Sequence, residues 1–340
     1  MIKEAIKTIS EGANLDKNQM YAAVQEIMTG KIDTPQIVDF LTALNKKGET
    51  IEELTAAVTV MRRYVTKINI KHAGTVLDTC GTGADQKGTF NISTIVAFVA
   101  SGCGIIVAKH GNRSVSSCCG SADILEKLGV NINMSAQEIE KCLDTIGIAF
   151  LFAQSLHPAM KYAMPARKQI GTKTMFNVLG PLSNPAGATH QLIGVYESRW
   201  LEILARVLGN LATVHALIVY GHDGLDEITT TTSTSVSELY KGKINNYQIN
   251  PRDFGLKEAS LEDLQGGDAA LNAGILLDVL NGKPGPKRDI VVLNAAAAIY
   301  AADKVSSIKD GIKLAVKSID SGKALKKLEL LKKFSHNQIK

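Results

Sequence analysis

The sequence predicts an α/β fold in which a small N-terminal α-helical domain precedes a larger α/β domain with a central, mostly parallel sheet. Residues 1–70 carry helical periodicity alone. From residue 76 onward, short apolar runs alternate with helical segments, which is typical of a parallel sheet with crossover helices. The chain has 340 residues, of which 45% are hydrophobic, and therefore exceeds the size at which a single core usually keeps growing.

The first 70 residues contain signals for four helices. The segment MIKEAIKTISEG is amphipathic. The other three helices have start signals, namely Asp16, Thr34-Pro35 and the capping box of Thr50 with Glu53. Gly30 and Gly48 follow the second and third helices as stop signals. These four helices make up the expected small domain.

The rest of the chain alternates between strand and helix signals. Strands are expected at five apolar runs, at 76–77, 105–108, 148–152, 192–195 and 217–220. Ser135 and Glu138 can cap a helix between two of these runs. Late helices are expected at residues 268–281, 288–302, 306–319 and 323–335.

One stretch, Asp78 to Ser121, carries the residue types that hold phosphate. In Gly81-Thr82-Gly83 the missing β-carbons let backbone N–H groups approach an anion closely. Asn91-Ile92-Ser93-Thr94 then opens an apolar helix, whose N-terminus favours negative charge. A second apolar run ends at Lys109-His110-Gly111-Asn112-Arg113, which adds positive charge. The combination predicts a phosphate site built from two loops.

The spacing does not fit the two most familiar phosphate motifs. The stretch from Gly83 to Gly88 lacks the Lys-Ser/Thr pair that completes a P-loop, and no third glycine stands at the helix entry for a dinucleotide fingerprint. The sequence therefore indicates a phosphate loop of an unusual kind, which is followed one βα unit later by a second, basic loop.

Several longer motifs resemble one family, that of the anthranilate phosphoribosyltransferases. They are GTGAD (81–85), TFNIST (89–94), KHGNRSVSS (109–117), GSADILEKLGV (120–130), FLFAQSLHPAMK (150–161), PARKQIGTKTMFNVLGPLSNP (165–185) and the acidic pair at 226–227. With the flanking helical segments, the resemblance covers essentially the whole chain. Two positions depart from the family pattern: Ala84 stands where the family usually has glycine, and Lys173 stands where it usually has arginine.

The resemblance implies an enzyme that joins anthranilate to 5-phosphoribosyl-1-pyrophosphate (PRPP) in tryptophan biosynthesis and releases pyrophosphate. It also implies a nucleoside phosphorylase/phosphoribosyltransferase-like fold, PRPP in the cleft between the domains, and a homodimer formed through the small domain. The expected domains are 1–70, with a later helical segment at about 140–185 contributing, and 71–340 as the phosphoribosyl-binding catalytic domain.

The family motifs assign a large set of residues to PRPP. Those expected to bind it are Gly81, Ala84, Asp85, Thr89, Asn91, Ile92, Ser93, Thr94, Lys109, His110, Gly111, Asn112, Arg113, Ser114, Val115, Ser116, Ser117 and Ser121. By this resemblance the first loop holds pyrophosphate and ribose, and the second loop binds the 5-phosphate and closes over PRPP.

The expected cofactor is Mg²⁺, the natural partner of pyrophosphate, because a hard dication prefers oxygen ligands. Asp226 and Glu227 resemble the metal motif of the family, and the Ser93 hydroxyl resembles a further ligand. An adjacent Asp-Glu pair in a loop is more often solvated surface, but this one follows a strand run and two glycines. Ser93 has the competing role of a helix cap.

Anthranilate needs a partner for its carboxylate and a flat apolar slot. Arg167 matches the family arginine that contacts this carboxylate, and a guanidinium can do so bidentately. Asn112 and Gly81 match residues that contact anthranilate. His110, His157 and Tyr162 are candidates for lining the slot, although each is equally compatible with a packing or capping role.

No general base is assigned, because the aromatic amine of anthranilate is already neutral at pH 7. Its lone pair can attack once C1 of the ribose carries positive charge, and the proton can leave afterwards. Catalysis would then rest on positioning and electrostatics, with His110 as a possible proton acceptor.

Composition disfavours nucleic-acid and membrane partners. The net charge is +5, and residues 321–340 alone carry six lysines and one glutamate, which equals the whole excess. One basic terminal helix without aromatic stacking residues is typical of a solvated helix face. The apolar runs are short and broken, so no membrane span is expected. Five cysteines without zinc spacing favour a reducing cytoplasm.

Two other functions fit parts of the sequence. Pyrimidine nucleoside phosphorylases share the fold but resemble this chain less and normally carry an extra C-terminal domain. A non-catalytic relative could bind nucleic acid through the basic 326–333 helix. The acidic pair at 226–227 together with Arg167 favours the transferase, because a binding module has no use for both.

Overall fold

A computed structural model of the chain describes residues 1–71, 74–83, 85–113 and 119–339. The described residues form one seven-stranded sheet, with strands β1 (Val76–Asp78), β2 (Ile106–Gly111), β3 (Ile148–Phe152), β4 (His190–Gly194), β5 (His215–Gly221), β6 (Thr234–Tyr240) and β7 (Lys243–Ile249). The spatial order is β3-β2-β1-β4-β5-β6-β7. The first five strands are parallel, and β6 and β7 are antiparallel additions at one edge.

Helices surround this sheet and also precede it. They are α1 (Ile2–Ser10), α2 (Lys17–Met28), α3 (Thr34–Lys47), α4 (Ile51–Tyr64), α5 (Ile92–Gly102), α6 (Ser121–Lys127), α7 (Ala136–Ile146), α8 (Ala153–Leu156), α9 (Met164–Ile170), α10 (Met175–Leu182), α11 (Trp200–Asn210), α12 (Ala269–Leu280), α13 (Pro286–Ala301), α14 (Ile308–Asp320) and α15 (Lys323–Ser335). Short 3₁₀ helices lie at Pro158–Tyr162, Pro251–Phe254 and Glu262–Leu264. No described helix combines the length and the apolar character needed to cross a bilayer.

The predicted helix caps are present. Asp16 caps α2, and capping boxes join Thr50 to Glu53 at the start of α4 and Ser135 to Glu138 at the start of α7. The helix α3 begins at Thr34 as expected, but the capping side chain is that of the preceding residue, Asp33. Local capping chemistry therefore fixes the helix starts.

All five expected strands are present, whereas the antiparallel β6-β7 hairpin was not predicted. Its strands contain two serines, two asparagines and one threonine, and β7 is a mostly solvent-facing edge strand. An edge strand needs no continuous apolar run, so periodicity gives little signal there. The turn uses Lys241 and Gly242, both with positive φ, as a tight hairpin requires.

Two apolar cores lie on opposite faces of the sheet. The first contains residues of α5, α6, α7 and α12 to α15 together with one face of the sheet. The second contains residues of α1 to α4, α9, α10 and α11 together with the other face, including Ile193 and Ile218. The N-terminal helices therefore pack onto the α/β part through α10 and α11.

Within the expected later helical segment at about 140–185, packing on the N-terminal helices comes from residue 158 onward. The 3₁₀ turn at 158–162 packs on α2, α9 packs on α3, and α10 packs on α4. In contrast, α7 packs on β3 and α15, and β3 is itself a strand of the sheet.

The buried Glu53 generates a prediction about stability. Its carboxylate accepts hydrogen bonds from Leu15 N at 2.9 Å, Thr50 N at 2.8 Å and Lys47 Nζ at 3.0 Å. Glu53→Ala leaves these donors without their partner, so the free energy of unfolding should fall by about 3 kcal/mol in urea titrations. Glu138→Ala, in the capping box of α7, is the matched control and should cost about 1 kcal/mol. Equal losses for the two variants would contradict this role.

Candidate active site

The predicted phosphate-binding residues gather at the carboxyl ends of the parallel strands β1, β2 and β5. The glycine motif lies between β1 and α5, in what we call the glycine loop, and the acidic pair lies between β5 and β6, in the acidic loop. The basic motif begins at Lys109 in the last residues of β2 and continues into the loop after that strand, the basic loop. Ligands of open parallel sheets bind at this edge, because the connecting loops and the helix N-termini meet there.

Close contact between backbones explains two of the glycines. A β-carbon on Gly81 would lie 3.0 Å from Gly194 O and 3.3 Å from Asp226 Oδ2. A β-carbon on Gly194 would lie only 1.4 Å from Asp226 O. Thr82 N donates a hydrogen bond to Gly194 O at 2.8 Å. The glycine loop therefore lies directly against the acidic loop, and any larger residue at position 194 would separate them.

Lys109 places a positive charge inside the site. Its side chain is almost fully buried, and Nζ donates to Thr79 O and to Ser93 Oγ, both at 3.2 Å. The lysine thus connects the end of β2 with the loop after β1 and with the first turn of α5.

At the start of α5, the residue that caps the helix is Asn91 and not Ser93. The Asn91 carboxamide oxygen accepts a hydrogen bond from Thr94 N at 3.1 Å. Thr94 Oγ1 and Asn91 Nδ2 also contact Ser121 Oγ, at 2.9 and 3.4 Å. Because Asn91 caps the helix, the Ser93 hydroxyl keeps an oxygen lone pair for another partner.

Three carboxylates meet in this region: Asp85, Asp226 and Glu227. Desolvation, followed by the nearby Asp85 carboxylate, raises the pKa of Asp226 to about 7. Desolvation and then Asp226 also raise the pKa of Glu227 well above its usual range, and Lys109 opposes this shift. Mutually repelling carboxylates with one lysine nearby fit a divalent cation with oxygen ligands, so the residues present are suited to Mg²⁺.

A buried carboxylate that sequence reasoning missed holds β1 and β2 together. Asp78 Oδ1 accepts from His110 N at 3.1 Å, and Oδ2 accepts from Asn184 Nδ2 at 2.7 Å. Asn184 Nδ2 also donates to Ala108 O at 2.8 Å. Burial raises the pKa of Asp78 to about 6, against the opposing charge of Lys109. An acidic residue at the end of a buried strand was the one available signal.

His110 and His157 form a buried pair. Their Nε2 atoms are 3.0 Å apart, so one ring donates and the other accepts. Desolvation lowers the pKa of His157 to about 4 and, together with His157, lowers the pKa of His110 well below its usual range. Both rings are therefore neutral at pH 7, and His110 is a weaker base than an ordinary histidine.

The basic loop begins with Asn112 and Arg113. Asn112 Oδ1 accepts from Gln154 Nε2 at 3.2 Å. The Arg113 guanidinium contacts Asp123 at 3.0 Å and Glu126 at 2.5 Å, so in this structure carboxylates on α6 engage it. The expected PRPP residues Ala84 and 114–117 lie outside the described residues.

Arg167 projects from α9 toward the ring of Phe176, with its guanidinium carbon 5.8 Å from the ring centre. Desolvation lowers the pKa of Arg167. No carboxylate among the described residues forms an ion pair with it. Phe176 lies on α10, one turn before Gly180, whose backbone lies against the His110 ring. This chain of contacts links Arg167 to the basic loop.

Other expected residues have structural contacts. Thr89 forms an isolated bridge with Gln265, Ile92 is buried at the start of α5, and a β-carbon on Gly111 would lie 2.7 Å from the Phe150 ring. The Tyr162 ring packs over Gly30, where a β-carbon would lie 2.5 Å away, which favours the packing role for this tyrosine.

Lys173, which replaces the usual family arginine, lies over the ring of Tyr196 with Nζ 3.5 Å from the ring centre. Tyr196 N in turn donates to Thr82 Oγ1 at 3.2 Å. Lys173 therefore places a cation on an aromatic face next to the glycine loop.

One cluster in this region has metal-ligating residue types without the properties of a metal site. Ligand atoms of Asp78, Cys80 and His110 lie within 4.8 Å of one another. Burial and then Asp78 raise the pKa of Cys80 to about 12, which disfavours the thiolate that a metal ion would need. Both oxygens of Asp78 already accept hydrogen bonds, and His110 is paired with His157.

Comparisons with known proteins agree with this arrangement. The chain matches the model of the glycosyl transferase family a/b domain over residues 73–325, and that of the helical bundle domain over residues 3–65. It is 48% identical to the anthranilate phosphoribosyltransferase of Petrotoga mobilis, over 99% of this chain and 97% of the relative. The corresponding protein of Methanocorpusculum labreanum is 52% identical, over 97% of each chain.

Solved structures of anthranilate phosphoribosyltransferases are similar as well. The Thermus thermophilus structure has a TM-score of 0.93 and 38% identity, and the match covers 98% of this chain and 99% of that one. The Saccharomyces cerevisiae structure in complex with PRPP and Mg has a TM-score of 0.91 and 28% identity, and the match covers 99% of this chain and 98% of that one.

The raised pKa of Asp226 generates a prediction about pH. Without a cation, ionising this carboxylate costs stability, so the free energy of unfolding should fall as pH rises from about 4 to 7. After allowance for screening, the fall attributable to Asp226 is about 3 kcal/mol. Asp226→Asn should remove that part of the pH dependence in urea titrations with EDTA, and Asp144→Asn, at an exposed position, should not.

The same carboxylate predicts how the effect of Mg²⁺ depends on pH. Added Mg²⁺ should stabilise the wild type more at pH 8 than at pH 6, since protons compete with the cation. A stabilisation by Mg²⁺ that does not change with pH would contradict the assignment.

Proposed function

The chain belongs to the anthranilate phosphoribosyltransferase family, and we propose that it transfers the phosphoribosyl group of PRPP to the amine of anthranilate, releasing pyrophosphate, in tryptophan biosynthesis. The single observation that carries this proposal is the meeting of the glycine loop, the buried Lys109 and three carboxylates at one edge of the sheet. The relatives named above are anthranilate phosphoribosyltransferases rather than nucleoside phosphorylases, which decides between the two enzymes that the sequence left open.

PRPP would lie along this edge. The backbone of the loop that starts at Gly81 and the N-terminus of α5 supply N–H groups for the pyrophosphate, and Lys109 supplies a fixed positive charge. Asn91, Thr94 and Ser121, which already form one hydrogen-bonded group, would contact the ribose and the 5-phosphate. The remaining residues of the basic loop would complete the 5-phosphate site.

Mg²⁺ is the cofactor, and Asp226, Glu227 and Ser93 would hold it. When bound, the ion supplies neutralising charge for the leaving pyrophosphate. The chain's own contribution is to hold these carboxylates close together at a buried position. Their ionised forms are unfavourable there without a cation, as their raised pKa values show, and a dication would remove this cost. Ser93 can take part because Asn91, and not Ser93, caps α5.

Anthranilate would bind between Arg167 and the basic loop. Arg167 is half-buried and has no carboxylate partner among the described residues, so the carboxylate of the substrate can supply the missing charge. The Phe176 face beneath it and the neutral His110-His157 pair provide a flat, weakly polar wall. Asn112 would contact the substrate from the basic loop, with Gly81 on the side of PRPP.

The transfer itself requires no strong base. The amine attacks C1 of the ribose as pyrophosphate departs through an oxocarbenium-like transition state, and the extra proton then leaves the product nitrogen. With its pKa well below the usual range, His110 would act as a hydrogen-bonding wall and would accept this proton only transiently. Positioning and exclusion of water are therefore the main contributions.

We extend the proposal to organisation. The helical domain would comprise residues 1–70 with 158–182, and the catalytic domain would comprise the remainder of 71–340. A homodimer formed through apolar faces of the helical domain and a cytoplasmic location fit the expectations from the sequence. The free thiols of Cys80, Cys103 and Cys142 suit a reducing compartment.

The activity is tested by the loss of anthranilate fluorescence after the protein is mixed with anthranilate, PRPP and Mg²⁺. Fluorescence should decay only when all three are present, and pyrophosphate should appear in equal amount. Omission of each component in turn is the control. Folded protein that consumes no anthranilate in the complete mixture would refute the proposed reaction.

The role of Arg167 predicts a selective kinetic defect. Arg167→Ala should raise the KM for anthranilate by about tenfold or more, since it removes a charge-assisted contact, and should leave the KM for PRPP nearly unchanged. Lys168→Ala, which removes an exposed cation next to it, is the control and should change neither value. An anthranilate KM in Arg167→Ala equal to that of wild type would remove Arg167 from this role.

A further inference from the structure

The two loops of the phosphoribosyl site are both held by α13, a helix that carries none of the residues assigned to substrate or metal. This buried helix packs against α5 and α14 and against the strands β4 and β5 of the sheet. Lys287, near its N-terminus, and Asn294, in its middle, are seven residues apart. Seven residues are two turns of helix, so both side chains lie on one face, about 10 Å apart along the axis.

Lys287 holds the glycine loop indirectly, through the backbone of residues 263–265. Its Nζ donates to Asp263 O at 2.8 Å and to Gln265 O at 2.7 Å. Lys287 Nζ also lies 5.2 Å from the centre of the Phe90 ring. The lysine therefore fixes the backbone of residues 263–265 and covers the end of the glycine loop at the same time.

The segment at 264–266 pairs directly with residues 87–90 of the glycine loop. Phe90 N donates to Leu264 O at 3.1 Å, Gly266 N donates to Gly88 O at 2.9 Å, and Gln265 Nε2 donates to Lys87 O at 3.2 Å. A β-carbon on Gly266 would lie 2.6 Å from the Phe90 α-carbon, so the two backbones are in close contact. This pairing sets the position of the loop between Asp85 and α5.

Asn294 holds the acidic loop in the same way. It is fully buried, its Oδ1 accepts from Ile228 N at 2.9 Å, and its Nδ2 donates to Ile228 O at 2.7 Å. Ile228 directly follows Asp226 and Glu227. A carboxamide that satisfies both backbone groups of one residue fixes that peptide in position and orientation.

We propose that α13 sets the distance between the pyrophosphate-binding and metal-binding halves of the site, with Lys287 and Asn294 as positioning residues. The inference rests on the proposed function. PRPP bound with Mg²⁺ must contact both loops at once, so a loop that lost its tether would have to be ordered when the ligand binds. That ordering would weaken binding and leave the transfer step of the bound complex nearly unchanged.

The first test compares Lys287→Met with Lys283→Met. Lys283 forms an exposed pair with Asp278 and is therefore a matched control. Binding of PRPP with Mg²⁺ is measured by calorimetry without anthranilate, and steady-state kinetics follow. Lys287→Met should weaken PRPP binding and raise its KM by about tenfold, while kcat and the anthranilate KM stay within about twofold of wild type.

The second test compares Asn294→Ala with Asn131→Ala. The Asn131 carboxamide also donates to a backbone carbonyl, that of Ser335, far along the chain from either loop. Asn294→Ala should raise the Mg²⁺ concentration that gives half-maximal PRPP binding by about tenfold, and Asn131→Ala should not change it. Should Asn294→Ala fail to fold, Gln265→Ala, at an exposed side chain, should still weaken PRPP binding by about threefold.

The outcomes separate the two proposals. A wild-type chain that neither binds PRPP nor consumes anthranilate would overturn the proposed function and this inference together. An active wild type in which Lys287→Met and Gln265→Ala bind PRPP like Lys283→Met would overturn the inference alone. A uniform loss of kcat with unchanged PRPP binding in these variants would also overturn it, because it would indicate a general structural role.

Discussion

The buried ammonium group of Lys109 is the interaction on which the rest of the site depends. An isolated charge in the interior is strongly unfavourable, so its surroundings must supply both hydrogen-bond acceptors and negative charge. Thr79 O and Ser93 Oγ are the acceptors, and Asp78 and Glu227 are the opposing charges. Lys109 itself lies at the end of β2, and its partners belong to the end of β1 and the residue after it, the start of α5 and the loop after β5. One charge thus brings four separate parts of the chain together at the same edge of the sheet.

The same balance explains why the site suits PRPP and Mg²⁺ together. Lys109 cannot neutralise Asp85, Asp226 and Glu227 at once, and desolvation, followed by the neighbouring carboxylates, raises the pKa of Asp226 and Glu227. An anionic ligand alone would be repelled by these carboxylates, and a dication alone would leave the amide-rich glycine loop without an anion. A bound metal pyrophosphate satisfies both parts. The proposed site would therefore favour the complex over either component.

The sequence predicted the parts of the fold that depend on local chemistry and missed those that depend on tertiary contacts. Caps such as Asp16 and Ser135 act within one turn, so their signal is complete in the sequence. The motif around Gly81 was informative, but its reason, contact with Asp226 from a distant loop, is visible only in three dimensions. Asp78, Asn184 and Asn294 gave almost no signal, since each acts through one or two hydrogen bonds to a segment far along the chain. The edge hairpin was missed because it has too little apolar periodicity.

In the proposed function the two substrates would be held by different scaffolds, and the contacts between these scaffolds would decide whether transfer can occur. The residues proposed to bind PRPP belong to the sheet edge, whereas Arg167 belongs to a segment that packs on α2, α3 and α4. Arg62 Nε donates to Leu182 O, and the Lys173-Tyr196 contact continues to Thr82, so the acceptor side is tied to the glycine loop. Attack at C1 requires the amine to lie in line with the departing pyrophosphate, and small displacements are costly. The alignment must therefore be set by these contacts between the scaffolds, because neither scaffold contains both reacting groups.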